Sequence, residues 1–344
     1  MKNFTCQCGA RVFFPNTHCL NCGAALGFDA VTQTLYALEP VEKSFEKLKL
    51  KGQAEPASQF KYCANYYSYN ACNWILPYDS KEPFCQSCRL NQTVPDLTRP
   101  ANVTRWIKLE TAKRHLLYSL LELGLPITNE PGKTPELAFA FLEDARTNDN
   151  YAESFIATGH SWGLITINLA EADDSYREQV REQLGEYYRT ILGHFRHEIG
   201  HYYYELLVVG SQWQDEFVEH FGDPKEDYQE AMNRYYEQGG NLSWREDYIS
   251  QYAQTHALED WAETWAHYLH ITDTLDTAWA FDIIEPLDLK TSSMDDIISA
   301  WLALTVRLNA LNRSMGLSDA YPFVISPAIG EKLSLIHRVV VSAS

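Results

Sequence analysis

All eight cysteines of this chain lie at or before Cys88, and the rest of its 344 residues contain none. A secreted disulfide framework would distribute its cysteines differently, whereas cysteine quartets with CxxC pairs are typical of metal binding. The sequence therefore predicts two structural, tetrahedral, all-cysteine zinc sites within residues 1–95. The first quartet is Cys6, Cys8, Cys19 and Cys22, and the second is Cys63, Cys72, Cys85 and Cys88.

The CxxC pairs in CLNCG and CQSC carry this prediction. Such pairs lie on tight turns that point two thiolates at one centre, and Gly23 after CLNC resembles the knuckle of a zinc ribbon. CxC is an unusual half-site, so one pair of each quartet could be shared across the two sites. The other alternative is reduced or disulfide-paired cysteines without metal. Closed zinc sites stabilise a segment too small to build its own core; a protein partner for the ribbons is a further expectation.

The charge balance narrows the range of partners. A formal net charge of −18 and a pI near 5.0 oppose binding to nucleic acid or to an anionic membrane, because a polyanion would be repelled at long range. The N-terminal stretch MKNFTCQCGARVFF has no apolar run of the length that a signal peptide or a membrane span requires. We therefore expect a cytoplasmic protein with soluble partners.

The composition changes within 90–102, where two prolines and no periodicity indicate a domain boundary. Residues 1–95 form the predicted double zinc-ribbon region, with loops and short strands around metal. Residues 96–344 form the second predicted domain, which is helical from about residue 104. Further helices are predicted over 175–209 and 294–315, and the alternating stretch LITINL predicts a strand at 164–169.

The segment GHSWG at 159–163 matches the GxSxG nucleophile elbow. That motif requires a strand before the serine and a helix directly after it. The stretch after Ser161 has the period of a strand instead, so we do not expect Ser161 to be a nucleophile.

The segment HEIGH at 197–201 is the main candidate for chemistry. On a helix, His197 and His201 are one turn apart on the same face, so two imidazoles can reach one Zn²⁺ while Glu198 lies beside the open coordination position. The competing interpretation is three polar residues on the wet side of a helix. A third ligand would decide between them, and Glu259 in EDWAE, with Glu263 one turn later, is the candidate.

These two segments together resemble the active site of lethal-factor-type gluzincin metallopeptidases. In that pattern a tyrosine stands seven residues before the ligand glutamate, as Tyr252 stands before Glu259. The whole chain resembles the bacterial zinc-ribbon-containing family of zinc-binding metallopeptidases. The resemblance implies an α+β, zincin-like domain after the ribbons. It also implies site roles: His197, His201 and Glu259 as zinc ligands, Glu198 as general base, Tyr252 as the transition-state donor, and Glu263 as the partner of a histidine ligand.

The chain departs from this pattern in the length between Glu198 and Tyr252. The intervening sequence includes the polar segment 210–230, which is rich in acidic residues. We interpret its residues Trp213 to Glu230 as an acidic solvated stretch, with a lid or specificity loop as the alternative.

The chemistry expected of this site is hydrolysis of peptide or isopeptide bonds in a peptide or protein substrate. One catalytic zinc would lower the pKa of its bound water to about 7, and Glu198 would take the proton during attack on the carbonyl. The oxyanion would be shared between the metal and a donor, for which Tyr252 is the first choice and His256 the second. The alternatives are a partner-binding scaffold with an inactive domain, and a zinc amidohydrolase acting on a non-peptide amide.

The strand before the zinc helix is expected to lie at a sheet edge, where its free backbone groups could pair with an extended peptide. The predicted substrate-binding residues are Gly163, Ile165 and Ile167, and the alternative is an ordinary core strand. His160, His194, His267 and His270 are expected to have core or surface roles, because the ligand set is already complete.

Overall fold

The computed structural model describes residues 2–41, 44–53, 58–128, 135–151, 155–184, 189–238, 240 and 243–344. The chain forms two compact units of mixed α and β structure. Unit 1 comprises Met1–Glu122, Ala138–Thr158 and Thr166–Asp173, and unit 2 comprises Leu123–Leu137, Gly159–Ile165 and Asp174–Ser344. The boundary at residues 95 and 96 remains a prediction about sequence domains. The first compact unit continues beyond it, because Tyr118 packs against Phe14 and Phe28 of the N-terminal region.

Unit 1 begins with antiparallel strands. Strands β1 (Phe4–Thr5) and β2 (Arg11–Val12) form a short ribbon. A five-stranded antiparallel sheet follows, with its strands in chain order: β3 (Ala25–Asp29), β4 (Thr34–Val41), β5 (Ser44–Leu50), β6 (Gln59–Tyr62) and β7 (Ile75–Pro77). The β4–β5 register shifts between Pro40 and Val41, where proline has no N–H to donate to a ladder. The core of this sheet contains Leu38, Leu48, Phe60, Tyr62 and Ile75.

The remainder of unit 1 holds helix α1 (Ala64–Tyr69), strand β8 (Asn91–Thr93), helix α2 (Pro100–Leu123) and strand β9 (Ala138–Leu142). Helix α2 begins with Pro100, whose fixed φ and missing N–H suit the first helical position. Short 3-10 turns occupy Cys88–Leu90, Asp149–Tyr151 and Leu169–Ala172.

A second sheet contains the strand predicted from LITINL. Its order is β10-β11-β9-β8, with β10 at Gly159–Ser161 and β11 at Leu164–Asn168. The strand prediction is confirmed. Ser161 is followed by a turn and β11, and not directly by the helix that a nucleophile elbow requires. The prediction that β11 is an edge strand is wrong, because β10 pairs on one side of it and β9 on the other.

The three residues proposed for substrate binding have structural roles, in a turn and in the core. Trp162 and Gly163 have φ angles of 46° and 83°, so they form the two-residue turn between β10 and β11. A Cβ on Gly163 would lie 2.2 Å from the Glu136 carbonyl oxygen, so this position requires glycine. Ile165 and Ile167 are buried in the core, and their strand has no free edge for a peptide. The assignment of Gly163, Ile165 and Ile167 to substrate binding is therefore withdrawn.

Unit 2 is mainly helical. Its helices are α3 (Asp174–Leu184), α4 (Ile191–Tyr203), α5 (Gln214–Phe221), α6 (Tyr228–Gln238), α7 (Ala257–Ala280), α8 (Met294–Ser314) and α9 (Pro327–Ala343). A π-helical turn at Tyr204–Val208 continues α4, and 3-10 turns occupy Trp244–Glu246 and Tyr252–Thr255. Helix α8 confirms the helix predicted over 294–315. Among the described helices, none combines the length and apolarity that a bilayer-spanning segment requires.

The prediction of one continuous helix over 175–209 is wrong. A new helix begins at Ile191, because Thr190 is extended (φ −123°, ψ 158°) and its hydroxyl accepts a hydrogen bond from Gly193 N at 2.9 Å. A threonine in this position is a helix N-cap, which satisfies one of the amides that an α-helix leaves unpaired. Residues 185–188, which the predicted helix included, lie outside the described residues.

Helices α4 and α7 approach each other closely at Gly200. A Cβ on this glycine would lie 3.0 Å from Ala262 Cα and 3.1 Å from Trp265 Cβ. Trp261 Nε1 donates a hydrogen bond to the Gly200 carbonyl oxygen at 2.9 Å. The absence of a side chain at position 200 thus allows the two helices to approach, and Trp261 and Trp265 fill the space beside it.

We predict that Gly200→Ala destabilises the protein although alanine favours helix. Forcing a methyl group against the α7 backbone costs about 1 to 3 kcal/mol, which is offset by a propensity gain of about 1 kcal/mol. Urea unfolding should show a net loss of up to about 2 kcal/mol. The matched control is Gly330→Ala on α9, where the nearest atom is Ile298 Cδ1 at 3.7 Å, so stability should stay equal or rise. Equal stabilisation by both substitutions would contradict the close approach of α4 and α7.

Candidate functional site

Each predicted cysteine quartet is assembled from its own four residues. In each quartet the four Sγ atoms lie within 4.8 Å of one another, so neither site contains a cysteine pair from the other quartet. The first quartet has two buried and two exposed cysteines, whereas all four of the second are buried. The members are Cys6, Cys8, Cys19 and Cys22, and Cys63, Cys72, Cys85 and Cys88.

The sulfur separations fit a tetrahedral zinc site better than disulfides. Cys6 Sγ lies 3.7 Å from Cys22 Sγ, and Cys72 Sγ lies 3.6 Å from Cys85 Sγ. A disulfide requires about 2.05 Å. A tetrahedron whose corners are about 2.3 Å from a central zinc has edges of about 3.8 Å. The donor set and its spacing therefore fit structural zinc.

A third group of metal-ligating side chains lies where α4 meets α7. His197 and His201 extend from α4 and Glu259 from α7, and their ligand atoms lie within 4.8 Å of one another. His197 Nε2 and His201 Nε2 are 3.3 Å apart. Glu259 Oε2 is 3.1 Å from His197 Nε2, and Glu259 Oε1 is 3.6 Å from His201 Nε2. Two imidazoles and one carboxylate thus converge from two helices, as the sequence predicted.

The Glu259 carboxylate provides a test of whether this group fits a metal ion. Its side chain is 4% exposed, yet Oε2 is a buried oxygen without a hydrogen-bond partner among the described residues. Burying such an oxygen is costly unless a cation or donor compensates it. The donor set of two histidines and one glutamate is one that Zn²⁺ takes in catalytic sites. The residues therefore fit a zinc ion.

Glu263 orients the first histidine. His197 Nδ1 is 2.6 Å from Glu263 Oε1, so Nδ1 carries the proton and donates it, which leaves the Nε2 lone pair facing Glu259 and His201. Burial alone would lower the pKa of His197, but the neighbouring carboxylates of Glu259 and Glu263 raise it well above its usual value. Burial alone would raise the pKa of Glu263, but the hydrogen bond from His197 lowers it. Glu263 thus lies where the resemblance places it.

Glu198 is a buried carboxyl group beside these ligands. Burial raises its pKa, and the charges of His197 and His201 partly oppose that shift. A carboxylate with a raised pKa is a stronger base and a more effective acid near neutral pH, which suits a group that takes and returns a proton.

Tyr252 lies on the 3-10 turn that precedes α7. Its ring centroid is 6.1 Å from that of His197. Burial raises the pKa of its hydroxyl, and the nearby Glu259 carboxylate raises it further. Tyr252 therefore stays protonated and can act only as a hydrogen-bond donor or neutral acceptor at physiological pH.

His256, the second choice as an oxyanion donor, uses both ring nitrogens in hydrogen bonds within the protein. It is the N-cap of α7, where its Nδ1 accepts a hydrogen bond from Leu258 N at 3.1 Å. Its Nε2 is 3.1 Å from the Glu226 carbonyl oxygen and donates to it. Both ring nitrogens are thus used, and the ring has no N–H left for a substrate. We therefore remove His256 from the catalytic residues.

Two residues near the ligands were not assigned to the site from the sequence. Tyr228, at the start of α6, donates from its hydroxyl to Glu259 Oε1 at 2.9 Å. His160 on β10 stacks on His201 with an interplanar angle of 11° and accepts a hydrogen bond from Gly163 N. Burial lowers the pKa of His160 to about 3, so its ring is neutral. His160 belongs to GHSWG, which indicates no metal site, and Tyr228 lies in a polar segment without apolar periodicity.

Comparison with known proteins matches two regions of the chain to protein families. A family model described as "Putative zinc-binding metallo-peptidase" matches residues 102–339, and a zinc-ribbon model matches residues 3–99. The chain belongs to this zinc-binding metallo-peptidase family. Its N-terminal region is a zinc ribbon, and the α+β fold class predicted for the whole chain is confirmed.

Three relatives match the chain almost end to end. One uncharacterized protein of Mycobacterium bovis and two of Mycobacterium tuberculosis are each 43% identical over 350 residues, which is 99% of this chain and 95% of each relative. No solved structure matches the chain. The family therefore supports zinc binding and a peptidase-like role, and the relatives carry no assigned activity.

We predict that Glu263→Gln in this metallo-peptidase weakens zinc binding at the His197, His201 and Glu259 group. The amide cannot supply the negative charge that orients His197 and increases its basicity, and losses of about 10- to 100-fold in metal affinity are typical of such partners. Chelator competition would measure the affinity. Glu285→Gln, at an exposed position of the same unit, is the control and should bind zinc like the wild type. An unchanged affinity in Glu263→Gln would refute the orienting role.

Proposed function

We propose that this chain is a gluzincin-type zinc peptidase that hydrolyses peptide or isopeptide bonds. The observation that supports it most is the convergence of His197, His201 and Glu259 within 4.8 Å, with a buried Glu259 oxygen left without a hydrogen-bond partner. The family match to zinc-binding metallo-peptidases supports the same function. We propose one catalytic zinc at this group, two structural zinc ions at the cysteine quartets, and a cytoplasmic location.

Glu198 is the proposed general base. His197, His201 and Glu259 would hold the zinc ion, which would supply a Lewis acid and lower the pKa of a bound water to about 7. Glu198 accepts the proton that water loses as its oxygen attacks the carbonyl carbon, and then gives that proton to the leaving amine. Its burial keeps the carboxylate poorly solvated, which strengthens it as a base.

Tyr252 is the proposed donor to the oxyanion. Its hydroxyl stays protonated because burial and the neighbouring Glu259 charge both disfavour the phenolate. A neutral donor fixed beside the site stabilises the charge that develops on the carbonyl oxygen and requires no reorganisation when it forms. His197 is oriented by Glu263, and its proposed role is zinc ligation alone.

We predict that Glu198→Gln and Tyr252→Phe separate metal binding from hydrolysis. Neither side chain is a proposed ligand, so both variants should keep the full zinc content. Loss of the Tyr252 hydroxyl should reduce turnover by about 10²- to 10³-fold, and loss of the Glu198 base should reduce it by up to about 10⁴-fold. Hydrolysis of a quenched fluorescent peptide library, measured together with zinc content, tests both. Full activity in Glu198→Gln would refute the mechanism.

The same Glu198→Gln variant identifies the substrate. A variant that binds but does not cleave should retain peptides from a cell extract, and mass spectrometry would identify them. His197→Ala, which lacks a ligand, is the matched control and should retain fewer. Retention of small amides or nucleotides in place of peptides would contradict the peptidase assignment.

A further inference from the structure

We infer that Tyr228 is a positioning residue of the proposed zinc centre, which fixes one oxygen of Glu259 so that the other faces the metal. This inference rests on the proposed function. It concerns a residue outside the HEIGH and EDWAE segments, at the start of α6 and within the polar segment 210–230. Among the described residues, Tyr228 supplies the hydroxyl that contacts a proposed ligand carboxylate.

The two oxygens of Glu259 have different surroundings. Oε1 accepts the Tyr228 hydroxyl at 2.9 Å and is 3.6 Å from His201 Nε2. Oε2 has no hydrogen bond among the described residues and is 3.1 Å from His197 Nε2. A hydrogen bond to a carboxylate is stronger than a neutral one and fixes the rotation of the carboxylate plane. Tyr228 therefore selects Oε2 as the oxygen offered to the metal.

The position of Tyr228 is fixed by the start of helix α7. His256, the N-cap of α7, donates from Nε2 to the Glu226 carbonyl oxygen, two residues before Tyr228. The Tyr228 ring packs edge-on against the His256 ring at a centroid distance of 5.3 Å. His256 and Glu259 are in the first turn of the same helix. The contacts that His256 makes with Glu226 and Tyr228 therefore hold the Tyr228 hydroxyl close to the Glu259 carboxylate.

Tyr228→Phe tests the inference. Phenylalanine keeps the ring and its packing on His256 and removes only the hydroxyl. We expect zinc affinity at the His197, His201 and Glu259 group to fall by about 10- to 100-fold, as for other residues that orient a metal ligand. The two cysteine sites should keep their affinity and act as internal references within the same molecule. The matched control is Tyr236→Phe, about two turns further along α6 and 61% exposed.

Zinc affinity is measured by chelator competition, and circular dichroism monitors folding of each variant. A loss confined to the third site in Tyr228→Phe, with Tyr236→Phe at the wild-type value, supports the inference. Equal affinity in Tyr228→Phe and wild type, with three zinc ions bound in each, overturns the inference and leaves the proposed function intact. A wild-type protein that binds only two zinc ions overturns both.

Discussion

The burial of the Glu259 carboxylate against His197 and His201 is the interaction on which the site of this protein depends. A carboxylate that is 4% exposed has lost most of its hydration, and it faces two imidazoles on another helix at 3.1 Å and 3.6 Å. Burial alone would raise the pKa of Glu259, but the two histidines lower it well below its usual value. A divalent cation between the three groups would compensate the carboxylate far better than imidazolium protons, which compete with metal for the same nitrogens.

The fold brings these charges together through a tight helix crossing. Gly200 lies between the two histidines, and because it has no side chain, α4 can contact α7 at Ala262. The Trp261 indole N–H donates a hydrogen bond to the Gly200 carbonyl oxygen. Outer contacts then fix each ligand: Glu263 holds His197 Nδ1, and Tyr228 holds Glu259 Oε1. The cysteine quartets lie in the other compact unit, so the proposed structural and catalytic metals would stabilise different parts of the chain.

Local patterns predicted those parts of the site that follow from helix periodicity. His197 and His201 are one turn apart, as are Glu259 and Glu263, so their shared faces could be deduced without knowledge of the tertiary fold. The structure brings these residues together. Two errors arose because tertiary contacts are not visible in the sequence: strand β10 pairs with the side of β11 that was expected to be free, and His256 Nε2 donates to the Glu226 carbonyl oxygen. The third error is local, because Thr190 caps a new helix within the stretch predicted as one helix. The Tyr228 contact depends on a fold-back of about thirty residues, which no spacing rule indicates.

Metal content is the most direct measurement of the central claim. Protein purified without chelator in zinc-containing buffer, analysed by mass spectrometry of the metal, should contain three zinc ions per chain. Mild chelation should remove one of them, and a chain with both His197 and His201 replaced by alanine should contain two from the start. A wild-type chain that holds only two zinc ions, indistinguishable from the double alanine variant, would contradict the account.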